Sequence, residues 1–311
     1  ESAAFAVLGA IPLQGIRLLR PELGETIAVY GLGLLGLLAV QLLKAAGAKV
    51  IGIDIRADRL EIAAALGAHP VNASEGNVAE ACRKRTAAGV DGVLITASAD
   101  KDDILKQSAS MTRQRGRIVL VGVVETKFDR REFYEKELSF QVSCSYGPGR
   151  YDPSYEQRGI DYPLGHVRWT EQRNIAAVVD LLASGEVDPA PLITQRVPHA
   201  SAEQAYELLA TDRSQLGAVL QYPSTTPASE LRIVHISQPI LRQGAAVVGC
   251  IGAGQFAKRT LLPAFKHTPA RLKSIASVGG VNAALLARQF GFETATTDYE
   301  KILTDADVNT I

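Results

Sequence analysis

The sequence predicts an α/β fold, a doubly wound parallel sheet with helices on both faces, followed by a second, truncated unit of the same kind. Three observations predict it. Up to Val123, apolar runs of strand length alternate with longer segments of helical period. The strand-like runs are nearly continuous in Val, Ile and Leu, as a sheet covered on both faces requires. A strand, a glycine turn and a helix also occur twice, around residues 31–36 and 252–257.

The elements follow in order. The chain opens in a helix-like segment over 2–19. Strands are expected at 26–30, 49–53, 92–96 and 117–123. The helices between them, at 34–46, 56–66, 78–86 and 103–112, carry apolar residues three and four apart. Right-handed crossovers between parallel strands then leave little topological freedom. A strand at 138–145 leads into a loop from Tyr146 to Trp169, rich in Gly, Pro, Tyr and Arg. Loops beyond about 12–15 residues in a compact domain are usually functional or disordered, and these aromatics argue against disorder. A helix at 171–183 is closed by Gly185. Another starts at Ser201, with Gln204 as its capping-box partner, and runs through Leu209. A strand at 217–221 follows.

Residues 223–244 carry Ser, Thr and Pro without a clear period and read as a linker. The pattern then restarts with a strand at 245–251, a glycine turn and a helix to about Lys266. A strand at 272–278, a helix at 282–290, a short strand near Ala295 and a helix at 299–304 complete it. The expected domains are therefore 1–222 and 245–311. Both ends read as cut, because the chain opens in a helix and 307–311 look like a strand just beginning. A fragment of a longer polypeptide is expected.

Composition narrows the function classes. The chain is 47% hydrophobic, 21% charged and 6% aromatic, which suits a soluble α/β protein. Lys plus Arg and Asp plus Glu both number 33, so no global charge favours nucleic acid or an anionic membrane. Cys82, Cys144 and Cys250 have neither metal-ligand spacing nor a disulfide pattern, which points to a reducing compartment, the cytoplasm. Residues 26–43 carry no charge, but their three glycines and strand-like start fit a buried strand, turn and helix better than a membrane span.

Gly31-Leu32-Gly33-Leu34-Leu35-Gly36 lies between a strand and a helix, the setting of a Rossmann phosphate loop. The first glycine allows the tight turn, the second clears room for a pyrophosphate, and the third lets helix and strand pack closely. The helix N-terminus, with Leu34 and Leu35, then presents N–H groups to the phosphates. Asp54 ends the second strand, 18 residues after Gly36, where a carboxylate holds the adenosine ribose and repels a 2′-phosphate. NAD is therefore the expected cofactor. The competing reading is a plain turn with Asp54 capping the next helix. A methyltransferase-type loop, or a fold that has lost its ligand, is a lesser alternative.

These residues, with Gly24-Glu25-Thr26, Leu66-Gly67-Ala68 and the 116–123 segment, resemble the coenzyme half of the medium-chain, zinc-type alcohol dehydrogenases from about Ala3 to Pro223. The resemblance implies that Asp54 and Arg59 hold the adenosine ribose. It places Thr96 and Ala97 on the adenine side, and the Val121, Gly122 and Val123 backbone against the nicotinamide. Ser143 to Ser145 would approach the carboxamide and a dimer partner. Ala6 falls about where that family has its last catalytic zinc ligand, so no metal is assigned. The catalytic domain that precedes this point in the family is not in the sequence.

The second glycine turn, Gly252-Ala253-Gly254-Gln255-Phe256-Ala257, resembles the start of the Gfo/Idh/MocA sugar-type dehydrogenases. Leu262-Pro263-Ala264, Phe290-Gly291-Phe292 and Thr297-Asp298-Tyr299 also fit. Gly252, Gly254, Gln255 and Phe256 are its candidate cofactor residues. Ser277-Val278-Gly279-Gly280 stands where an acid would follow the second strand, so NAD or NADP is open at this site. The pairing resembles bacterial bi-domain oxidoreductases, which implies a sugar-like small-molecule substrate and a homodimer.

No catalytic residue is assigned. His166, beside Arg168 and Trp169, is weighed as a proton donor against a simple backbone contact. The loop tyrosines are read as interface or loop packing. The expected function is an NAD(P)-dependent oxidoreductase that moves hydride to or from a carbinol or carbonyl carbon. This chain alone is expected to bind cofactor without turnover. A non-catalytic dinucleotide-binding sensor or scaffold is the competing class.

Overall fold

The computed structural model describes residues 1–99, 103–127, 129–212, 214–222, 233–236, 246–265 and 267–311. The chain divides into two compact units, Glu1–Tyr222 and Pro223–Ile311.

In the first unit, a six-stranded parallel sheet is built from β1 (Thr26–Tyr30), β2 (Lys49–Asp54), β3 (His69–Asn72), β4 (Val90–Ile95), β6 (Thr112–Leu120) and β8 (Ser139–Val142), in the order β3-β2-β1-β4-β6-β8. The chain runs outward from β1 to β3, then returns to the other side of β1 at β4. That reversal makes β1 and β4 a topological switch point, where doubly wound folds open a crevice at the carboxyl ends of the strands. A short parallel pair, β5 (Ser98–Ala99) and β7 (Val123–Val124), extends the sheet at that edge. A separate parallel pair joins β9 (Ile193–Pro198) and β10 (Gly217–Gln221).

Alternation within each strand builds two cores. Ile27, Val29, Val50, Leu94 and Val119 face one side, with α1 (Ala6–Leu19), α2 (Leu34–Ala45), α3 (Ala57–Ala65) and α8 (Glu171–Ser184). Ala28, Tyr30, Ile51, Ile53, Val93, Ile95, Ile118 and Leu120 face the other, with α4 (Val78–Arg83), α5 (Asp103–Met111) and α6 (Arg130–Tyr134). A period of two over strands buried on both sides is why the sequence reads as continuous Val, Ile and Leu. Two short helices remain, α7 (Pro153–Glu156) and α9 (Ala202–Thr211).

The segment Ser2–Leu19 is long and apolar enough to cross a membrane, yet more than half of it is buried within this unit. There α1 lies against α2 and α8. A Cβ on Gly9 would sit 2.7 Å from Val178 of α8. Buried Gln14 and Asn174 join the two helices, with the Asn174 amide donating to Gln14 Oε1 at 3.1 Å and to the Tyr146 carbonyl at 3.0 Å.

In the second unit, β11 (Ile233–His235), β14 (Thr294–Thr296), β13 (Arg271–Ala276) and β12 (Val247–Ile251) form a sheet in that order. It is parallel except for β11. Its core holds Leu262, Ile275, Leu286 and Phe292, packed under α10 (Leu262–Phe265) and α11 (Val281–Phe290). The short helix α12 (Glu300–Leu303) covers β12 and β13. Beside β12, Val248 bridges Thr310 in parallel, so the last residues do take up extended pairing.

The structure corrects several expectations. β3 and β9 were not foreseen. Ser201 makes no capping hydrogen bond, and a 3₁₀ turn at His199–Ser201 precedes α9 instead. The strand expected at 117–123 starts at Thr112. Residues 233–235, inside the expected linker, are a strand of the second sheet. The rest of 223–244 lies outside the described residues apart from Ile236. The helix after the second glycine turn opens with π-helical geometry at Ala257–Leu261.

Candidate coenzyme site

The three glycines of the first loop stand in three different surroundings. Gly31 has φ 99°, a left-handed value that side chains rarely tolerate. Its added Cβ would also lie 2.5 Å from the Ala97 backbone nitrogen. At Gly36 a Cβ would sit 1.9 Å from the Gly31 carbonyl oxygen. That is a hard clash between the helix and the strand end. Gly33 differs. It is the exposed N-cap of α2, and a Cβ there would meet nothing within 4 Å. Among the described residues nothing forbids a side chain at Gly33, so the space beside it is open to a ligand.

The loop is held from both flanks. Gly31 N–H donates to the Ile53 carbonyl at 2.8 Å. Thr96 Oγ1 donates to the Gly31 carbonyl at 2.6 Å. Asp54, at the end of β2, accepts the Leu32 N–H at 2.6 Å through Oδ2 and the Arg56 N–H at 3.0 Å through Oδ1. A carboxylate has about four acceptor positions, so two remain for a ligand's hydroxyls. Asp54 is half-buried, beside the fully buried Leu32. Below the loop, burial first and then the carboxylates of Asp103 and Asp54 push the Tyr30 phenol up to about 12. Its hydroxyl therefore stays protonated and donates to Gln107 at 2.7 Å.

The ends of β4 and β6 complete the crevice. The Ala97 N–H donates to the Tyr30 carbonyl, and Val121 and Gly122 both donate to the Ile95 carbonyl. Gly122 has no room for a side chain, since a Cβ would lie 2.0 Å from the Ala97 carbonyl oxygen. Val123, 74% exposed, stands at the rim. At the end of β8 the Ser143 N–H donates to the Leu120 carbonyl, and the buried Ser143 hydroxyl has no partner among the described residues. Thus Gly31, Gly33, Leu34, Leu35, Gly36, Asp54, Thr96, Ala97, Val121, Gly122 and Val123 gather at one edge of one sheet.

Arg59 is placed differently from the expectation. It is buried, and its guanidinium donates to the carbonyls of Ser214 and Gln215 at 2.8 and 2.9 Å. It braces the segment before β10. Arg56, two residues after Asp54, pairs through both arms with Asp58. The sequence reading missed the Leu32 N–H as the anchor of Asp54, because a backbone donor leaves no trace in residue type. His166 is exposed in a turn closed on the Pro163 carbonyl. Of the loop tyrosines, Tyr155 and Tyr162 stack at 5.4 Å and Tyr155 bonds to Thr170, while Tyr146 and Tyr151 lie beside the Arg150 guanidinium.

In the second unit, Gly252 has φ 112°. Neither Gly252 nor Gly254 would bring a Cβ within 4 Å of another group. Gln255 and Gly254 border a cleft of about 600 Å³ with Lys258, Asn282, Arg288 and Gln289. Phe256 is exposed and Ala257 buried. After β13 the Ser277 hydroxyl accepts the Ala283 N–H at 3.3 Å, in the place where the first unit has a carboxylate. Among the described residues, no group of three or more His, Cys, Asp or Glu could hold a metal ion.

A glycine turn at the switch point of a parallel sheet, with an acid ending the neighbouring strand, defines a dinucleotide-binding Rossmann domain. Comparison with known proteins places it further. Residues 35–157 match the family described as zinc-binding dehydrogenase. The chain is 31% identical over 190 residues to an alcohol dehydrogenase of Rhizobium meliloti, covering 60% of this chain and 55% of that protein. It is 30% identical over 191 residues to a probable D-xylulose reductase A of Neosartorya fischeri, covering 59% and 47%. The structure resembles the alcohol dehydrogenase TADH of Thermus sp. ATN1 with a TM-score of 0.59 and 28% identity, covering 71% and 58% of the two chains. The chain spans about half the length of the curated relatives it matches. The first unit thus shares its fold with the Thermus alcohol dehydrogenase and carries the family match over residues 35–157.

Proposed function

We propose that the first unit binds NAD(H) and serves an oxidoreductase acting on an alcohol or polyol, or on the corresponding carbonyl compound. The observation that carries this is the open space at Gly33, set on a helix N-terminus beside the two unused acceptor positions of Asp54. The cofactor, once bound, supplies hydride to or from a carbon of the substrate. The chain's own part is to bind and orient it. The Leu34, Leu35 and Gly36 N–H groups face the pyrophosphate, Asp54 accepts from the adenosine ribose, and Thr96 and Ala97 border the adenine side. Val121 to Val123 present backbone to the nicotinamide.

Asp54 favours NAD over NADP. A 2′-phosphate about 4 Å from its carboxylate would meet roughly 4 kcal/mol of repulsion per unit charge near a surface. Arg56 offers little relief, being committed to Asp58. The resemblance of the second loop to Gfo/Idh/MocA dehydrogenases extends the proposal to a second dinucleotide site at Gly252, Gly254, Gln255 and Phe256, without a preference between NAD and NADP. A sugar-like substrate and a homodimer joined along the edge strand β8 belong to the same proposal.

Calorimetry with NADH tests the first site. Binding is expected in the intact chain, with NADPH weaker and Gly33→Val abolishing the first-unit isotherm. Equal affinity for NADH and NADPH would overturn the reading of Asp54. An unchanged isotherm in Gly33→Val would overturn the site itself.

A further inference from the structure

Away from the coenzyme crevice, at the opposite end of the helices that flank it, three arginines collect without a carboxylate. Arg17 and Arg168 cover the two faces of Trp169, with guanidinium carbons 3.2 and 3.8 Å from the ring centroid. Arg17 Nε donates to Asn174 Oδ1 at 3.0 Å. Arg20 follows one turn later as the exposed C-cap of α1. None of the three forms an ion pair among the described residues. Burial and then the neighbouring cation Arg168 hold the Arg17 guanidinium down at about 10. Structural arginines are normally paired or fully hydrated; these two conditions fail together at Arg17.

Arg17, Arg20 and Trp169 border a cleft of about 410 Å³ whose remaining wall is apolar, including Leu13, Leu42 and Leu181. That volume lies in the range of small-molecule sites, which are largely apolar with a few convergent polar groups. The ends of α1 and α2 also reach this cleft. Each contributes roughly half a negative charge, which offsets only part of the two full cations of Arg17 and Arg20. The excess charge is positive, and it stands at the mouth of an apolar wall.

We propose that this cleft binds a small organic monocarboxylate with an aliphatic or aryl body, its carboxylate held by Arg17 and Arg20 and its body lying on Leu13, Leu42, Leu181 and Trp169. The two guanidiniums supply charge-assisted hydrogen bonds, and the apolar wall excludes a bare inorganic anion as the preferred occupant. The site is separate from the coenzyme crevice, so it stands or falls independently of the cofactor proposal.

Trp169 is the only tryptophan in the chain, which makes its emission a direct reporter. Octanoate added to the 311-residue chain is expected to shift that emission saturably. Octanol and inorganic phosphate at the same concentrations are expected to leave it unchanged. Arg20→Gln, at an exposed position, is expected to weaken octanoate at least about tenfold, the scale of one lost charge-assisted bond, while Arg20→Lys retains most of the affinity. No saturable shift with octanoate, an equal response to octanol or to phosphate, or a folded Arg20→Gln that binds as the parent does would each overturn the proposal.

Discussion

The two glycine loops share a sequence pattern but not a setting. In the first, β1 is flanked on both sides by full strands, β2 and β4. The end of β4 therefore presses Ala97 and Thr96 against the loop, and Gly31 and Gly36 have no room for a side chain. In the second, β12 pairs with β13, and Val248 bridges Thr310 in parallel. A Cβ at Gly252 or Gly254 would meet nothing within 4 Å among the described residues. The third position is Ala257 rather than glycine, and the helix behind it opens with π geometry. In the first loop it is the neighbouring strand end, through Thr96 and Ala97, that leaves Gly31 no room for a side chain and crowds Gly36. The acid does two jobs in the first unit, since Asp54 fixes the loop through Leu32 before it meets any ligand.

Substitutions in the two loops test this contrast, beginning with the largest effect. Gly36→Ala is expected to destabilise the first unit by about 3 kcal/mol or more, because backbone must move to admit the Cβ. Urea unfolding followed by circular dichroism would show its transition shifted, while Gly254→Ala leaves the second unit's transition in place. A small loss at Gly36 would break the claim that the first loop is locked.

Next in size, Gly33→Val should leave that unfolding transition within about 0.5 kcal/mol, as for a surface change. It should nonetheless cost at least about a hundredfold in NADH affinity, near 2.8 kcal/mol. Folding and binding would then separate at adjacent glycines. Asp54→Asn keeps an acceptor for the Leu32 N–H but removes the charge. The preference for NADH over NADPH is expected to fall by about tenfold or more, read from calorimetry with both cofactors, and a ratio that does not move would show that Asp54 is only a loop anchor. Thr96→Val, which deletes the bond to the Gly31 carbonyl, should cost about 1 kcal/mol of first-unit stability. In the second unit, where Ser277 stands in the place of the acid, it accepts the Ala283 N–H at 3.3 Å, and Ser277→Ala should cost less.

Much of this could be read from the residues, for reasons that also explain the misses. β1, α2 and β10 match their expected bounds within a residue, because apolar period and glycine punctuation agree there. β3 was hidden because His69-Pro70-Val71-Asn72 has one apolar β-former and a proline, which only an edge strand tolerates. β9 reads as polar alternation ending in Pro198, and its partner β10 lies across α9. The start of β6 was missed because Arg113, Gln114 and Arg115 show no apolar period before the ladder shifts register at Gly92. At the site, the glycines and Asp54 were legible from spacing. The destination of Arg59 was not, since Ser214 and Gln215 attract it by their backbone carbonyls alone.

The long apolar helix at the start of the first unit has a consequence for how the chain is made. Gln14 is bonded to Asn174, 160 residues later in the chain. At a synthesis rate of roughly 5–20 residues per second, that partner emerges about 8–32 s after the helix does. For that interval a stripe built to lie under α8 faces water or whatever shields nascent chains. The Gln14–Asn174 contact thus closes only after every strand of the six-stranded sheet has been made.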